Sequence, residues 1–213
     1  MNQPLGYPVT PPPESKAPAW KVGGATIVSF VVLLYLIELV DQLSNHSLDR
    51  NGIRPLETDG LWGVIFAPLL HGSWQHLAAN TVPALVLGFL VTLAGMSRFV
   101  WATAIIWVVG GLGTWLIGNI GCGLETNHIG ASGLIFGWFT RHIWWIVTGI
   151  IVLVVYGGVL WGAVPELDRC GGVSWQGHLC GAIAGVLAAY WLSGPERKAR
   201  ERKKAGQLPG LTS

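Results

Sequence analysis

Long apolar segments alternate with short polar ones along most of the chain. A helix needs about 20 mostly apolar residues to cross a bilayer core of about 30 Å. Five segments meet this requirement and are predicted to span a membrane: 22–40, 77–97, 99–119, 143–164 and 173–193. The pattern therefore predicts an all-α polytopic membrane protein.

A sixth apolar segment, 129–140, is too short to cross alone. Its twelve residues would reach about 18 Å as a helix. Either this helix begins inside the membrane or the loop before it dips in. Non-helical backbone at membrane depth is tolerated only where protein buries it or water reaches it. The pattern thus predicts six helices, with a short, re-entrant-like fourth helix beside a water-filled cavity. The loop that leads into it is rich in glycine: Gly118, Gly121, Gly123 and Gly130.

The placement of basic residues predicts the orientation. Six crossings put both termini on one side, which then carries ten Lys and Arg residues against three on the other side. The positive-inside rule assigns the richer side to the cytoplasm, and a bacterial plasma membrane is the expected location. The ten are Lys16, Lys21, Arg98, Arg141, Arg197, Lys198, Arg200, Arg202, Lys203 and Lys204, and the three are Arg50, Arg54 and Arg169.

Three regions follow from this pattern. Residues 1–21 are rich in proline and predict a disordered cytoplasmic tail. Residues 22–194 form the membrane domain, and residues 195–213 form a basic cytoplasmic tail. We interpret that basic tail as a solvated segment and not as a nucleic-acid site.

Composition excludes an ordinary soluble domain. Charged residues make up 11% of the chain, against roughly 25% in soluble domains. Twelve tryptophans suit a protein with many bilayer interfaces. The three cysteines lack metal-ligand spacing, and no nucleotide-binding loop or EF-hand is present.

Four polar residues are predicted to lie at one depth near the outer leaflet. His76 and Asn80 share a face at the outer start of the second span. Ser132 opens the short helix, and His178 lies in the first turns of the last span. Polar groups inside a membrane are costly and by default indicate function.

Each of the four also has a purely structural interpretation. Ser132 alone is typical of close helix packing, and His178 alone is typical of an interhelical hydrogen bond. His76 and Asn80 alone are typical of a tether for the first outer loop. Their convergence at one level favours a catalytic site.

The residue types suit acyl transfer. Serine becomes a strong nucleophile when an adjacent base takes its proton, and histidine is the usual base. An oxyanion needs donors aimed at it, and the Asn80 amide, the His76 ring and the Ser132 backbone N–H are candidates. No acidic residue lies at this depth, so we predict a Ser-His dyad. Phe136, one turn after Ser132, is the candidate to hold the His178 imidazole.

Glycine spacing predicts that the short helix packs on the last span. Residues four apart lie on one helix face, and small residues there let membrane helices approach closely. The glycines are Gly133 and Gly137 on one helix and Gly177, Gly181 and Gly185 on the other.

Three motifs in order resemble the rhomboid family of intramembrane serine proteases, over roughly residues 22–194. Residues 130–133 resemble its G-x-S-G motif. His71, His76 and Asn80 resemble its H-x4-H-x3-N motif. Gly177-His178 resembles the start of its last helix, and the glycines that follow there are Gly181 and Gly185.

The resemblance implies roles for these residues. Ser132 is the nucleophile, His178 the base, and His76 and Asn80 line the oxyanion hole. Phe136 takes the place of an aromatic residue that packs on the base. The supporting positions are His71, Gly130, Gly133, Gly181 and Gly185.

The family uses no metal or cofactor and cuts single transmembrane helices in or near the bilayer. The partners implied are therefore transmembrane protein substrates and the lipid bilayer. The active site would open toward the extracytoplasmic side, with the loop 165–172 as a mobile cap. Trp62 matches the tryptophan of the family's Trp-Arg pair, but Gly63 stands where the arginine is expected.

Three alternatives remain open at this stage. A catalytically inactive rhomboid-like protein would bind membrane clients, but such relatives lack the dyad. A transporter would need a polar path across the membrane. A membrane lipase or acyltransferase would use the same nucleophile. Separately, Cys122 and Cys170 both fall in outer loops and are candidates for a disulfide.

Overall fold

A computed structural model describes residues 17–122, 126–141 and 174–194. The predicted span 143–164, the predicted cap 165–172, Cys170, residues 1–16 of the N-terminal tail and the basic tail 195–213 lie outside the described residues. Residues 19–21, predicted as the end of the N-terminal tail, belong to the first helix. Within the described residues the fold is helical, with no strand and one isolated antiparallel bridge between Ile53 and His128.

Six α-helices form the framework of the described residues. Three of them are long and apolar enough to cross a membrane: α1, Ala19–Leu43; α3, Trp74–Leu93; and α4, Met96–Ile117. The shorter helices are α2, Gly63–Phe66; α5, Ser132–Arg141; and α6, Trp175–Leu192. The described residues thus belong to a membrane protein, while the count of six crossings and the re-entrant fourth helix stay predictions.

Local chemistry moves the boundary of the second predicted span. That span was expected at 77–97, but α3 runs from Trp74 to Leu93. Ser73 begins the helix because its hydroxyl accepts the backbone N–H of His76. Gly95 separates α3 from α4 because its φ is 111°, an angle that glycine adopts readily and that an α-helix does not contain.

Short helical turns form part of the long loop between α1 and α3. Single 3₁₀ turns flank α2 at Asp59–Trp62 and Ala67–Leu69, so helical geometry continues across residues 59–69. Trp62, Ile65 and Phe66 are exposed, which leaves an apolar surface on this loop. The indole Nε1 of Trp107 donates to the Val64 carbonyl over 2.9 Å and fixes the loop to α4.

The absent arginine at position 63 has a structural reason. A Cβ at Gly63 would collide with the backbone of Gly52 and Ile53. Arg54 supports the loop instead. Its Nε lies 2.7 Å from Glu57 Oε2, and its Nη1 donates to the Arg50 carbonyl over 2.7 Å.

The core surrounds α5. Trp138 of this helix is 1% exposed, packs edge-on against Phe30 and stacks obliquely on Phe99. Its Nε1 donates to Thr103 Oγ1 over 3.0 Å, so its one polar atom is satisfied. α5 therefore joins α1 and α4 in the interior.

Glycines set the contact between α5 and α6. A Cβ at Gly181 would collide with the Gly133 backbone, and one at Gly185 would collide with the Gly137 carbonyl. The helices thus meet backbone to backbone, as the glycine spacing predicted.

We expect Gly181→Ala to destabilise the protein by about 1–3 kcal/mol, because the added methyl has no space. Gly24→Ala is the matched control, since its nearest neighbour is a Phe89 ring carbon at 3.8 Å. There the helix preference for alanine should keep stability unchanged or raise it by up to about 1 kcal/mol. Thermal unfolding of both variants in detergent measures the difference, and equal melting temperatures would contradict the packing.

Candidate active site

The segment before Ser132 brings the predicted nucleophile beside His76. Gly130 has a φ of 120°, a conformation that favours glycine. The position of a Cβ on Gly130 lies 2.8 Å from His76 Nε2 and 3.7 Å from Ser132 Oγ. The hydroxyl and the ring nitrogen therefore border the same small volume, and Gly130 keeps that volume open.

His71 supports the backbone next to the nucleophile. Its Nε2 accepts the backbone N–H of Ala131 over 3.4 Å. The ring is 1% exposed and packs edge-on against His76, with centroids 5.0 Å apart. Burial, and secondarily the neighbouring His76, lower the pKa of His71 to about 3. His71 is thus neutral at pH 7, as an acceptor for Ala131 must be.

His76 and Asn80 lie one turn apart on α3. The Asn80 side-chain amide is buried and donates one hydrogen to the His76 carbonyl over 3.0 Å. A primary amide has two such hydrogens. This hydrogen bond fixes the amide and leaves its second hydrogen for another acceptor.

The predicted base is held at the start of α6. Ser174 caps this helix by accepting the Gly177 N–H over 3.0 Å. His178 is 5% exposed, and the Phe136 ring stacks on its imidazole at 4.3 Å with an interplanar angle of 19°. Phe136 lies on α5 one turn after Ser132, so this contact connects the helix of the predicted nucleophile to the predicted base.

The contact between α5 and α6 also brings together the residues next to Ser132 and His178. The position of a Cβ on Gly133 lies 3.4 Å from the Gly177 carbonyl oxygen. Gly133 follows Ser132 and Gly177 precedes His178, so the two candidates lie at the same level of the α5–α6 interface. The hydrogen bond between Ser132 Oγ and the imidazole stays a prediction.

A cavity of about 50 Å³ borders Ser132 on the side of α4. A water molecule needs roughly 10–15 Å³ of such space, so the cavity has room for a few. Its lining includes Thr114, His128, Ile129, Ser132, Ser174 and Gly177. Polar atoms on this wall make the cavity suitable for water.

The sequence analysis missed a buried histidine beside the site. His128 is 8% exposed and lies four residues before Ser132. Its Nδ1 lies 2.6 Å from Ser174 Oγ, and its Nε2 lies 2.7 Å from Thr126 Oγ1. The only signal in the sequence was a histidine next to the G-x-S-G motif, which carries no spacing rule.

The donors in this network have one consistent order. The Thr126 hydroxyl donates its one hydrogen to Asn119 Oδ1 over 2.8 Å, so it accepts from His128 Nε2–H. Nδ1 of the neutral ring is then the acceptor for the Ser174 hydroxyl, which itself accepts the Gly177 N–H. Burial lowers the pKa of His128, against a smaller opposing effect of the Gly118 carbonyl, so the ring is neutral at pH 7. The network ties the segment before the nucleophile to the helix that carries the base.

Covalent chemistry also fixes the loop before α5. Cys122 is disulfide-bonded, whereas Cys180 is a buried free thiol. The chain has three cysteines, and the predicted partner Cys170 lies beyond the part of the chain that the structure describes. The pairing of Cys122 with Cys170 stays a prediction.

None of the catalytic candidates belongs to a cluster of three metal-ligating side chains within the described ranges. The one such cluster there, Asp41, His46 and Asp49, lies at the C-terminal end of α1.

Comparison with known proteins identifies the family. Residues 58–195 match the Rhomboid domain, more than half of the 213 residues. The chain belongs to the rhomboid family. The resemblance carried by the three motifs is thereby confirmed.

Relatives of this rhomboid occur in several bacteria. An uncharacterized protein of Mycobacterium tuberculosis is 66% identical over 99% of this chain and 92% of its own length. An uncharacterized protein of Mycobacterium leprae is 63% identical over 88% of this chain and 78% of its own length. A Bacillus subtilis protein named "Putative rhomboid protease YdcA" is 24% identical over 61% of this chain and 66% of its own length.

The buried His128 network predicts a cost for its removal. We expect His128→Ala to destabilise this rhomboid by about 1–3 kcal/mol, because Ser174 and Thr126 lose a buried partner. His128→Gln should recover part of the loss, since its amide both donates and accepts. Thermal unfolding in detergent measures both variants. A His128→Ala protein as stable as the wild type would show that the network contributes nothing.

Proposed function

We propose that this rhomboid is an intramembrane serine protease that uses Ser132 as nucleophile and His178 as general base. The observation that carries the proposal is the stacking of Phe136 on His178 across the α5–α6 contact. It holds an imidazole next to the helix that Ser132 opens. The family relation supports the reaction class.

The reaction divides into two steps of acyl transfer. The Ser132 hydroxyl attacks the carbonyl carbon of the scissile peptide while its proton passes to His178. The tetrahedral intermediate collapses when the C–N bond breaks, and the imidazolium gives its proton to the leaving amine. Water then attacks the acyl-enzyme ester, with His178 again as base, and releases the acid and free Ser132.

Stacking replaces a carboxylate in orienting the base. No acidic side chain is assigned to His178 in this proposal. A flat aromatic contact restricts the tilt of the imidazole, and burial keeps competing water away from it. The base therefore has a defined orientation without a third titratable group.

The oxyanion requires donors that are present before the reaction. The second hydrogen of the Asn80 amide and the His76 ring are two of them, and the Ser132 backbone N–H at the start of α5 is the third. N–H groups at the start of a helix lack intrahelical acceptors, and the helix dipole favours negative charge there. Such preorganised donors stabilise developing charge more strongly than mobile water does.

Transmembrane segments are the proposed substrates. Peptide bonds in a helix are protected because each carbonyl accepts an i+4 N–H. Cleavage thus needs local unwinding, which favours helix-breaking and small residues near the cut. We propose cytoplasmic termini and an active site that opens toward the extracytoplasmic side, in keeping with the excess of basic residues on the terminal side.

Removal of either dyad residue should abolish proteolysis. The purified protein is reconstituted in liposomes with a panel of tagged transmembrane segments, and cleavage is followed by gel and mass spectrometry. We expect Ser132→Ala and His178→Ala each to lower the rate at least about 10³-fold, with the double variant no slower than either.

Ser29→Ala is the matched control, because Ser29 is an exposed hydroxyl on α1 far from α5 in sequence. It should cleave at the wild-type rate. Persistent cleavage by a folded Ser132→Ala protein would refute the mechanism. Binding of segments by the wild type without any cleavage would favour a client-binding protein instead.

Loss of one oxyanion donor should slow the reaction without removing the nucleophile. We expect Asn80→Ala to reduce kcat by about 10²–10³-fold, and His76→Ala to behave alike. Thr81→Val on the same helix is the control, because its hydroxyl bonds the Leu77 carbonyl over 2.9 Å on another face. Rates within threefold of the wild type for both variants would show that the donors are misassigned.

A further inference from the structure

A cluster of acidic residues and one histidine lies where α1 ends. Glu38 and Asp41 are three apart on α1, and both are 1% exposed. His46 and Asp49 follow in the first outer loop. Asn45 and His46 have positive φ angles of 54° and 56°, so the chain turns back and carries His46 over the end of the helix.

The cluster brings three potential metal ligands into close range. His46 Nδ1 lies 3.4 Å from Asp41 Oδ2 and 3.5 Å from Asp49 Oδ2. One ligand atom from each of the three residues lies within 4.8 Å of the others. The imidazole is thus centred between two carboxylates.

Buried oxygens in this cluster lack hydrogen-bond donors. Asp41 Oδ1 accepts the Leu48 N–H over 2.7 Å, but Oδ2 receives no hydrogen bond among the described residues. Glu38 Oε1 accepts from Gln42 over 3.0 Å, whereas its Oε2 is likewise without a donor there. A buried carboxylate oxygen without a hydrogen-bond donor is costly. The cluster contains three carboxyl groups and one imidazole, so it is rich in ligand oxygens and poor in donors.

We propose that Asp41, His46 and Asp49 bind a divalent transition-metal ion, with Zn²⁺ as the best match. Zinc takes imidazole nitrogen and carboxylate oxygen at about 2.0–2.2 Å, so tetrahedral ligands lie roughly 3.3–3.5 Å apart. The two nitrogen–oxygen separations already have this value. Ca²⁺ prefers six to eight oxygen ligands and no imidazole, and the cluster does not supply them.

An entry path and a fourth ligand are both available. The His46 side chain is 44% exposed, so the ion has access from the outer aqueous side. Water from that side completes a four-coordinate shell.

The ion would fasten the first loop to α1 and, through it, to the active site. Asp49 belongs to the 3₁₀ turn Asp49–Asn51, and its carbonyl accepts from Asn127 Nδ2 over 2.8 Å. Asn127 lies in the segment that leads into Ser132. The role is structural and takes no part in peptide hydrolysis.

Calorimetry on the full-length protein tests the site. Detergent-purified protein is treated with a chelator, exchanged into buffer at pH 7 and titrated with ZnCl₂. We expect a saturable site of one equivalent, and at least about tenfold weaker binding in His46→Gln and Asp49→Asn. Saturating Zn²⁺ should raise the wild-type melting temperature by ~5 °C or more and leave that of His46→Gln unchanged.

Asp59→Asn is the matched control, since this loop carboxylate is 80% exposed and lies outside the cluster. It should bind Zn²⁺ as the wild type does. Asp41→Asn is a further ligand variant. If it does not fold, His46→Gln and Asp49→Asn alone test whether the cluster binds Zn²⁺. Three outcomes would overturn the proposal: no saturable binding, equal binding by His46→Gln and the wild type, or stronger binding of Ca²⁺ than of Zn²⁺. The first would leave the His46 imidazole alone as the contact between the two aspartates.

Discussion

The candidate site depends on how closely α5 and α6 approach each other. Two glycine pairs, Gly133 with Gly181 and Gly137 with Gly185, let the backbones touch where any side chain would collide. At that distance Phe136 reaches the His178 ring. A wider interface would remove the stacking and separate the start of α5 from the start of α6. The close approach of α5 and α6 is therefore needed both for helix packing and for the position of His178, and the glycines make it possible.

Hydrogen bonds of two buried histidines add to helix packing in holding the segment before Ser132. His71 accepts from the backbone beside Ser132, while His128 joins the same segment to the cap of α6. Both rings are buried, and burial lowers the pKa of each, so both act as neutral hydrogen-bonding groups. In an apolar environment each such hydrogen bond is costly to leave unmade, which favours one arrangement of the loop over others. The segment before the nucleophile is thus held by the loop that precedes α3 and by the cap of α6.

Much of this arrangement was predictable from the sequence. Apolar length predicted the helices, because a bilayer sets a minimum span, and glycine spacing predicted the α5–α6 contact. Phe136 was chosen from helical periodicity alone, and its ring does lie on His178. The catalytic roles of Ser132, His178, His76 and Asn80 remain proposals.

Long-range contacts in the loops were beyond sequence reasoning. The pairing of His128 with Ser174 joins residues 46 positions apart, and no periodicity relates them. From the sequence, Gly63 indicated that an arginine contact of the first loop was missing. The structure shows instead that backbone atoms leave no space for a side chain there, and that Arg54 holds the loop. The end of α3 shifted because one glycine with positive φ outweighed a continuous apolar pattern.

The central claim is that His178 activates Ser132 for nucleophilic attack. Covalent labelling with a serine-reactive fluorophosphonate, followed by mass spectrometry of the modified peptide, tests this directly and needs no known substrate. The account predicts one adduct, on Ser132, formed by the wild type, and at least about 10²-fold slower labelling in a folded His178→Ala protein. Labelling of another serine, or an unchanged labelling rate without His178, would contradict it.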